Sequence, residues 1–444
     1  MSTRSLSTVD IDRKYVWHPF TQERTAPPPL PVARAKGASL FLEDGRELLD
    51  MACSWWVNVH GHSHPKIAEA IARQAATMEH VIFAGFTHEP AARLAEAIVN
   101  ALPRPLSRVF YSDNGSTAVE VALKMAWQYW RNTGDNNRRL FLAFQGGYHG
   151  DTFGAMAVGR TSGYYDPFDE LMCEVRHLPF APTWMGDAEC EAREALALAE
   201  IDALLAAHGH EAAAFLAEPL VQGASGMNMC RPEFLRTVVE RMQARDIPVI
   251  LDEVMTGFGR TGTMFAMEQA HVVPDLVCLS KGISGGFLPL AATVASTRIY
   301  EAFLGEDFHT AFAHGHSFTA NPLGCAAGVA SFALFQEEGT LERIGRITAS
   351  NRAWLAEVAK LPGVTRPRAL GSIAAVTLGR DESDYHAGIG TAVKAKCFER
   401  GLLIRPMGNV VYLMPPACVS PQELARAQEG LTEVLRETAE LYAS

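Results

Sequence analysis

The chain has 444 residues, 48% of them hydrophobic and 20% charged, a composition that excludes a disordered or fibrous protein. Against 50 acidic residues stand 39 basic ones, a formal charge of −11 with no basic run, which argues against a nucleic-acid partner. The eight cysteines lie far apart with no C-x-x-C pair, the N-terminus MSTRSLSTVD lacks a signal peptide's apolar core, and no uncharged apolar stretch reaches the roughly 18 residues of a membrane span. The expectation is a cytoplasmic protein with reduced, mostly buried cysteines and no membrane partner.

The first 60 residues read as an irregular appendage with a proline run from Pro27 to Pro31, followed by a strand-like SLFLEDGRELLDM that turns at Asp44-Gly45. From about residue 62 to 330, helical periodicity alternates with the apolar runs RVFYSD (108–113), RLFLAF (139–144), AAFLAEP (213–219), PVILDEV (248–254) and DLVCLSK (275–281). That alternation predicts an α/β fold, a mainly parallel sheet with helices on both faces. The C-terminal part changes character. A helix begins near Asn321-Pro322, then come GSIAAVTLG, a helix through KAKCFERG, and a hairpin through LLIRPMGNVVYLMPP that turns at Gly408-Asn409. Ser420, Pro421 and Glu423 form a capping box that opens the last helix. The division predicted is an N-terminal segment, 1–61, contributing to a small domain; a large domain, 62–330; and a small α+β domain, 331–444.

Three strand ends carry chemistry. Ser112-Asp113-Asn114-Gly115-Ser116-Thr117 follows one strand and opens a helix whose apolar face reads Val119, Ala122, Leu123, Ala126, Trp127 and Trp130. Free N–H groups and the helix dipole make such a start an anion site, with an ordinary N-cap as the alternative. PVILDEV runs into Asp252 and Glu253 at the carboxyl edge of the sheet, where ligands of open α/β sheets bind; Asp252 faces a cationic ligand atom or a structural salt bridge. Gly257, Gly259 and Gly262 fit G-x-G-x-x-G, but no long helix pattern opens at the third glycine, and a dinucleotide site is discounted. Lys281 ends the next strand, before glycines at 282, 285 and 286; desolvation would give it the lowered pKa of a Schiff-base amine, with a surface lysine as the alternative. Tyr148, in GGYHGD, can stack on a flat ring or pack in the core. His60, His62 and His64, like His314 and His316, lack the cysteines or carboxylates to complete a metal-ligand set, so no metal is expected. An anion cradle, a strand-end aspartate and a strand-end lysine are the phosphate grip, ring-nitrogen partner and aldehyde tether that pyridoxal phosphate requires.

SDNGSTAVEVALKMAWQYW, GGYHGDTFGAM, EPLVQGASGM, DEVMTGFGRTG, LSKGISGG and HGHSFTANPLGCAA resemble, in order and spacing over nearly the whole chain, the motifs of class III pyridoxal-phosphate-dependent aminotransferases. WHPFTQ (17–22), SWW (54–56), GFTHEPA (85–91) and IRPMGNVVYLMPP (404–416) look like the branch that forms diaminopelargonate in biotin biosynthesis, with S-adenosylmethionine as amino donor and 8-amino-7-oxononanoate as acceptor. The resemblance implies a fold-type I transferase with a mainly parallel seven-stranded sheet and a smaller α+β domain, working as a homodimer with shared sites. It implies pyridoxal 5'-phosphate bound by Gly115, Ser116, Tyr148, Asp252 and Lys281, with His316 and Ser317 reaching across from a second subunit. Lys281 would tether the cofactor and shuttle a proton, Asp252 would keep its ring nitrogen protonated, and Tyr148 would pack on the ring. Phe20, Trp55, Tyr148, Lys281 and Gly315 would line the substrate site, and Arg405 would pair with the oxononanoate carboxylate.

Phe20 stands where the adenosylmethionine-using members typically place a tyrosine. Relatives that take lysine as donor also carry P-F-T-Q, and here Val57-Asn58-Val59-His60-Gly61-His62 is similar to them as well, so a lysine donor stays open. So do another class III transaminase of ω-amino acids or diamines, and a binding protein that kept the fold and lost the chemistry.

Overall fold

A computed structural model describes residues 6–159, 165–379 and 388–442 of the chain. Its centre is a seven-stranded sheet in the order Leu106–Ser112, Ala291–Ser296, Leu276–Leu279, Val249–Asp252, Ala212–Ala217, Leu140–Phe144, Val175–Leu178. Ala291–Ser296 runs antiparallel to both neighbours, and every other pairing is parallel. Every residue of the strands 140–144, 212–217, 249–252 and 276–279 is buried, which is why they read as unbroken apolar runs: both faces are covered. The carboxyl ends of the parallel strands, and of Leu106–Ser112, all point to one edge, and the segments that leave this edge build the site.

The helix Gly115–Asn132 is capped by Asn114, whose side chain accepts from the Thr117 N–H while Thr117 caps back. It buries Ala118, Val121 and Met125 in addition to Val119, Ala122, Leu123, Ala126 and Trp130. Trp127, expected on the apolar face, is 38% exposed and lies tilted against Phe141 with the Arg131 guanidinium over it.

The second, smaller core draws on both ends of the chain. Ala38, Leu49 and Met51 pack with Trp354, Val376, Leu413 and Leu431, so the N-terminal strands are part of a core and not an appendage. They belong to a four-stranded sheet in the order Val32–Lys36, Ser39–Leu42, Glu47–Asp50, Leu402–Leu403. Val364–Leu370, Ile373–Leu378 and Val410–Leu413 form a three-stranded sheet beside it. The expected hairpin through Gly408-Asn409 is therefore corrected. Its first arm pairs in parallel with Glu47–Asp50, and its second pairs with Ile373–Leu378; two better-buried edges compete for the arms, and a single Met407–Val410 bridge remains between them. The expected boundary at residue 330 falls inside the helix Pro322–Glu337. Ser420 and Glu423 make the capping box, all eight cysteines are free thiols, and among the described residues no helix is long and apolar enough to cross a membrane.

Candidate active site

At the carboxyl edge of the large sheet lies a cavity of about 620 Å³ lined by Gly115, Ser116, Tyr148, Asp252 and Lys281 among others. They arrive at the ends of four different strands, so one edge of the sheet collects groups from Gly115 to Lys281.

Gly115 and Ser116 are the first two residues of their helix, with backbone N–H groups that no helical carbonyl can satisfy. A Cβ on Gly115 would stand 2.8 Å from Val254 Cγ1, so glycine is needed for the floor to close. Gly150, with φ of +119°, passes so near that a Cβ there would collide with Ser116 Oγ. Ser116 Oγ also accepts the Asp151 N–H at 3.2 Å. The result is a tight cradle of backbone donors at a helix N-terminus, suited to a phosphate.

Asp252 is 4% exposed. Its Oδ1 accepts the Val254 N–H at 3.0 Å, and its Oδ2 lies 2.7 Å from Nδ1 of the buried His149. Among the described residues His149 Nε2 has no partner. Glu253, the neighbouring carboxylate, turns the other way into the protein and accepts from Thr256 Oγ1 and the N–H groups of Ala266 and Met267. It is structural, and burial raises it to about 7.

Lys281 has φ of 46° and its ammonium lies 5.1 Å from the centre of the Trp56 ring. Among the described residues no carboxylate or hydroxyl pairs with it. Burial lowers its pKa, against the upward pull of Asp252 and Glu218, which favours the neutral, nucleophilic amine. Glu218 ends the strand Ala212–Ala217, accepts the N–H groups of Tyr148 (3.0 Å) and Gly223 (2.9 Å), and is raised by burial to about 7. Tyr148 donates its hydroxyl to Asp151 at 3.0 Å, and its phenol is raised by burial and then by that carboxylate.

Trp56 donates its indole N–H to the Tyr412 hydroxyl at 2.8 Å. Trp55, expected to line the substrate site, is not among the residues lining this cavity: it is 39% exposed, with the Arg405 guanidinium 4.1 Å above its ring and Phe20 edge-on at 5.8 Å. Among the described residues no carboxylate pairs with Arg405; it is a planar cation beside the cavity, free to meet an anion. Gly315, His316 and Ser317 stand apart from this chain's cavity. Their segment is tied to the far side of the helix Gly115–Asn132, through Lys124 to His314 at 2.9 Å and through Gln128 and Asn132 to the carbonyls of Ala311 and Thr310. Phe318 beside them is 62% exposed.

Sequence alone assigns no role to His149, Glu218 or Trp56. Glu218 carried the signal that singled out Asp252 and Lys281, a charge directly after a buried apolar run. No three histidine, cysteine or carboxylate side chains among the described residues gather as a metal site, and Gly262 opens no helix: the next one is the four-residue Met267–Ala270.

A model of the class-III aminotransferase family matches residues 20–435. An adenosylmethionine-8-amino-7-oxononanoate aminotransferase from Synechococcus elongatus is 53% identical over 424 residues, covering 95% of this chain and 99% of the relative. The crystal structure of the enzyme of that name from Methanocaldococcus jannaschii is 34% identical, with a TM-score of 0.89, over 96% of this chain and 98% of the other. An amine transaminase from an uncultivated Pseudomonas species, solved in its PLP-bound form, is 30% identical with a TM-score of 0.89, over 95% of this chain and 98% of the other.

Proposed function

The chain belongs to the class-III aminotransferase family, and from that membership we propose that it transfers the amino group of S-adenosylmethionine to 8-amino-7-oxononanoate, a step of biotin biosynthesis. The observation that carries the reading is the convergence of Lys281, Asp252 and the glycine-opened helix at one cavity. The names of the relatives supply the two substrates.

The donor set fits pyridoxal 5'-phosphate: a half-buried amine with no carboxylate or hydroxyl partner among the described residues, a fixed carboxylate, and backbone N–H groups that only glycine lets an anion approach. Bound there, the cofactor supplies the carbonyl and the electron sink of amino transfer. Gly115 and Ser116 hold its phosphate. Asp252 orients its ring and holds the proton on the ring nitrogen. Tyr148 packs on the ring, and Lys281 Nζ anchors the cofactor and moves the proton at the substrate's amine-bearing carbon. Arg405, held over the Trp55 ring, pairs with the oxononanoate carboxylate in a bidentate geometry that lysine cannot make. Phe20 and Trp55 offer the donor an aromatic face. The second copy in a homodimer would supply His316 and Ser317 of the partner subunit, a role supported by their distance from their own cavity and the exposed Phe318 beside them. The free thiols suit a cytoplasmic address.

Phe20 favours a second reading, with lysine as the donor, because it lacks a hydroxyl to hydrogen-bond a larger polar donor. The holoenzyme supplied with 8-amino-7-oxononanoate and either S-adenosylmethionine or lysine, with diaminopelargonate measured by mass, decides between them. Product with S-adenosylmethionine is expected. Product with lysine alone would replace the donor, and product with neither would overturn the acceptor.

The cradle has its own test. Gly150→Ala forces a side chain against Ser116 at a backbone φ that L-residues avoid, and cofactor affinity is expected to fall about tenfold or more. Equilibrium dialysis against pyridoxal phosphate reads it, and an unchanged affinity would place the phosphate elsewhere.

A further inference from the structure

The two tryptophans of the wall sit on a backbone that L-residues avoid. Cys53, Ser54 and Trp56 have φ of 48°, 58° and 64°. Ser54 combines its φ with ψ of −86°, close to the rare, strained γ-turn of positive φ. None of these residues is a glycine. A backbone of this kind persists only where its surroundings over-determine it, and such places cluster at functional sites.

One side chain takes up two of the turn's N–H groups. Asp50, completely buried at the end of the strand Glu47–Asp50, accepts the Ala52 N–H on Oδ1 at 3.0 Å and the Ser54 N–H on Oδ2 at 2.7 Å. The Ser54 hydroxyl donates to the same Oδ2 at 3.3 Å. His62 Nε2 lies 2.9 Å from it on the other side and is the cation-forming group that faces this carboxylate among the described residues. The carbonyls of Ala52 and Cys53 accept the N–H groups of Trp56 and Val57, each at 3.1 Å, while those of Trp56 and Asn58 are reached by Arg260 only at 3.4 and 3.5 Å, the long end of hydrogen bonding. Asp50 itself is fixed by the sheet, its N–H on the Ala38 carbonyl at 2.7 Å and the following N–H, of Met51, on the Leu403 carbonyl at 3.0 Å. Strand order in the smaller domain thus reaches the aromatic wall through one carboxylate.

We propose that Asp50, oriented by His62, is a positioning residue that sets where Trp55 and Trp56 stand and so how tightly the substrate is held; this rests on reading Trp55 and Arg405 as the substrate wall. Asp50 does not line the cavity, and the phosphate cradle and Asp252 come from other strands. Loosening the turn therefore acts first on substrate binding, while the phosphate cradle and Asp252 keep their places.

The test uses the holoenzyme. Asp50→Asn keeps one carbonyl oxygen but turns an amide N–H₂ toward a donor, and KM for 8-amino-7-oxononanoate is expected to rise about tenfold, with kcat changed far less and the pyridoxal phosphate dissociation constant unchanged. Adding Ser54→Gly, which adopts that φ without strain, is expected to return most of the lost KM, a rescue that general destabilisation would not give. His62→Asn, which leaves Asp50 in place, should raise KM in the same direction by less, and it carries the test if Asp50→Asn does not fold. Wild-type KM in both single variants, or a double variant no better than Asp50→Asn, would overturn the proposal. Trp55→Ala separates the layers: a raised KM there with a neutral Asp50→Asn overturns the Asp50 role alone, whereas a wild-type KM in Trp55→Ala removes the substrate wall and the proposal with it.

Discussion

Lys281→Ala is expected to abolish turnover, with a loss of at least about 10⁴-fold, the upper end of what a positioned proton carrier contributes. Two functions leave with one nitrogen. The amine whose pKa burial lowers is the group in the cavity poised to bond an aldehyde carbon covalently, and the same Nζ is placed to carry a proton at the substrate carbon. Alanine leaves the Trp56 ring, the Gly115 cradle and Asp252 in place, so the variant should fold and still retain pyridoxal phosphate through its phosphate and ring. The visible absorbance of the loaded protein should shift to that of the unlinked cofactor, and diaminopelargonate, followed by mass, should not form. A variant with more than about a hundredth of the wild-type rate would take Lys281 out of the proton-transfer role.

Asp252→Asn should have the next largest effect. The amide fills the same space but carries no charge, and its N–H₂ faces either the Val254 N–H or His149 Nδ1, the two donors that the carboxylate satisfies at 3.0 and 2.7 Å. The ring nitrogen of a bound cofactor would then lose the anion proposed to keep it protonated. Removal of one preorganised electrostatic group lowers kcat by about 10²–10³-fold, and that is the expected loss, with substrate KM changed much less because the Arg405–Trp55 wall is untouched. Single-turnover kinetics of the loaded variant with S-adenosylmethionine checks it. A rate within about tenfold of wild type would mean that the ring-nitrogen proton is held by something other than Asp252.

Lys281, Asp252 and Gly115 were legible because they obey a local rule. Each lies at the carboxyl end of an apolar strand, the sheet is mainly parallel, and these strand ends share an edge. Glu218 obeys the same rule and was overlooked, since a single glutamate before a proline offers no recognisable ligand chemistry until its neighbours are known. The 402–413 segment misled for the opposite reason. Gly408-Asn409 is a good turn, but turn chemistry cannot say whether the flanking residues prefer each other, and the strands Glu47–Asp50 and Ile373–Leu378 were the stronger partners. Trp55 and Trp56 are adjacent, and periodicity alone could not tell which faces the cavity and which its rim. That rested on the Ser54 backbone, which no propensity favours. The Gly315–Ser317 segment lies beyond what one chain can place, because its own cavity does not receive it.

The Trp56–Tyr412 hydrogen bond joins residues 356 positions apart, and the strand Glu47–Asp50 closes on Leu402–Leu403 over a similar span. Long loops close late and at an entropic cost, and a chain emerging from the ribosome folds its completed units first. The groups of this chain's own cavity proposed to hold the cofactor, from Gly115 to Lys281, are carried by strands that end at Ser296. The wall that meets the substrate waits for the last tenth of the chain, so the newborn protein owns a phosphate cradle well before it owns a specificity.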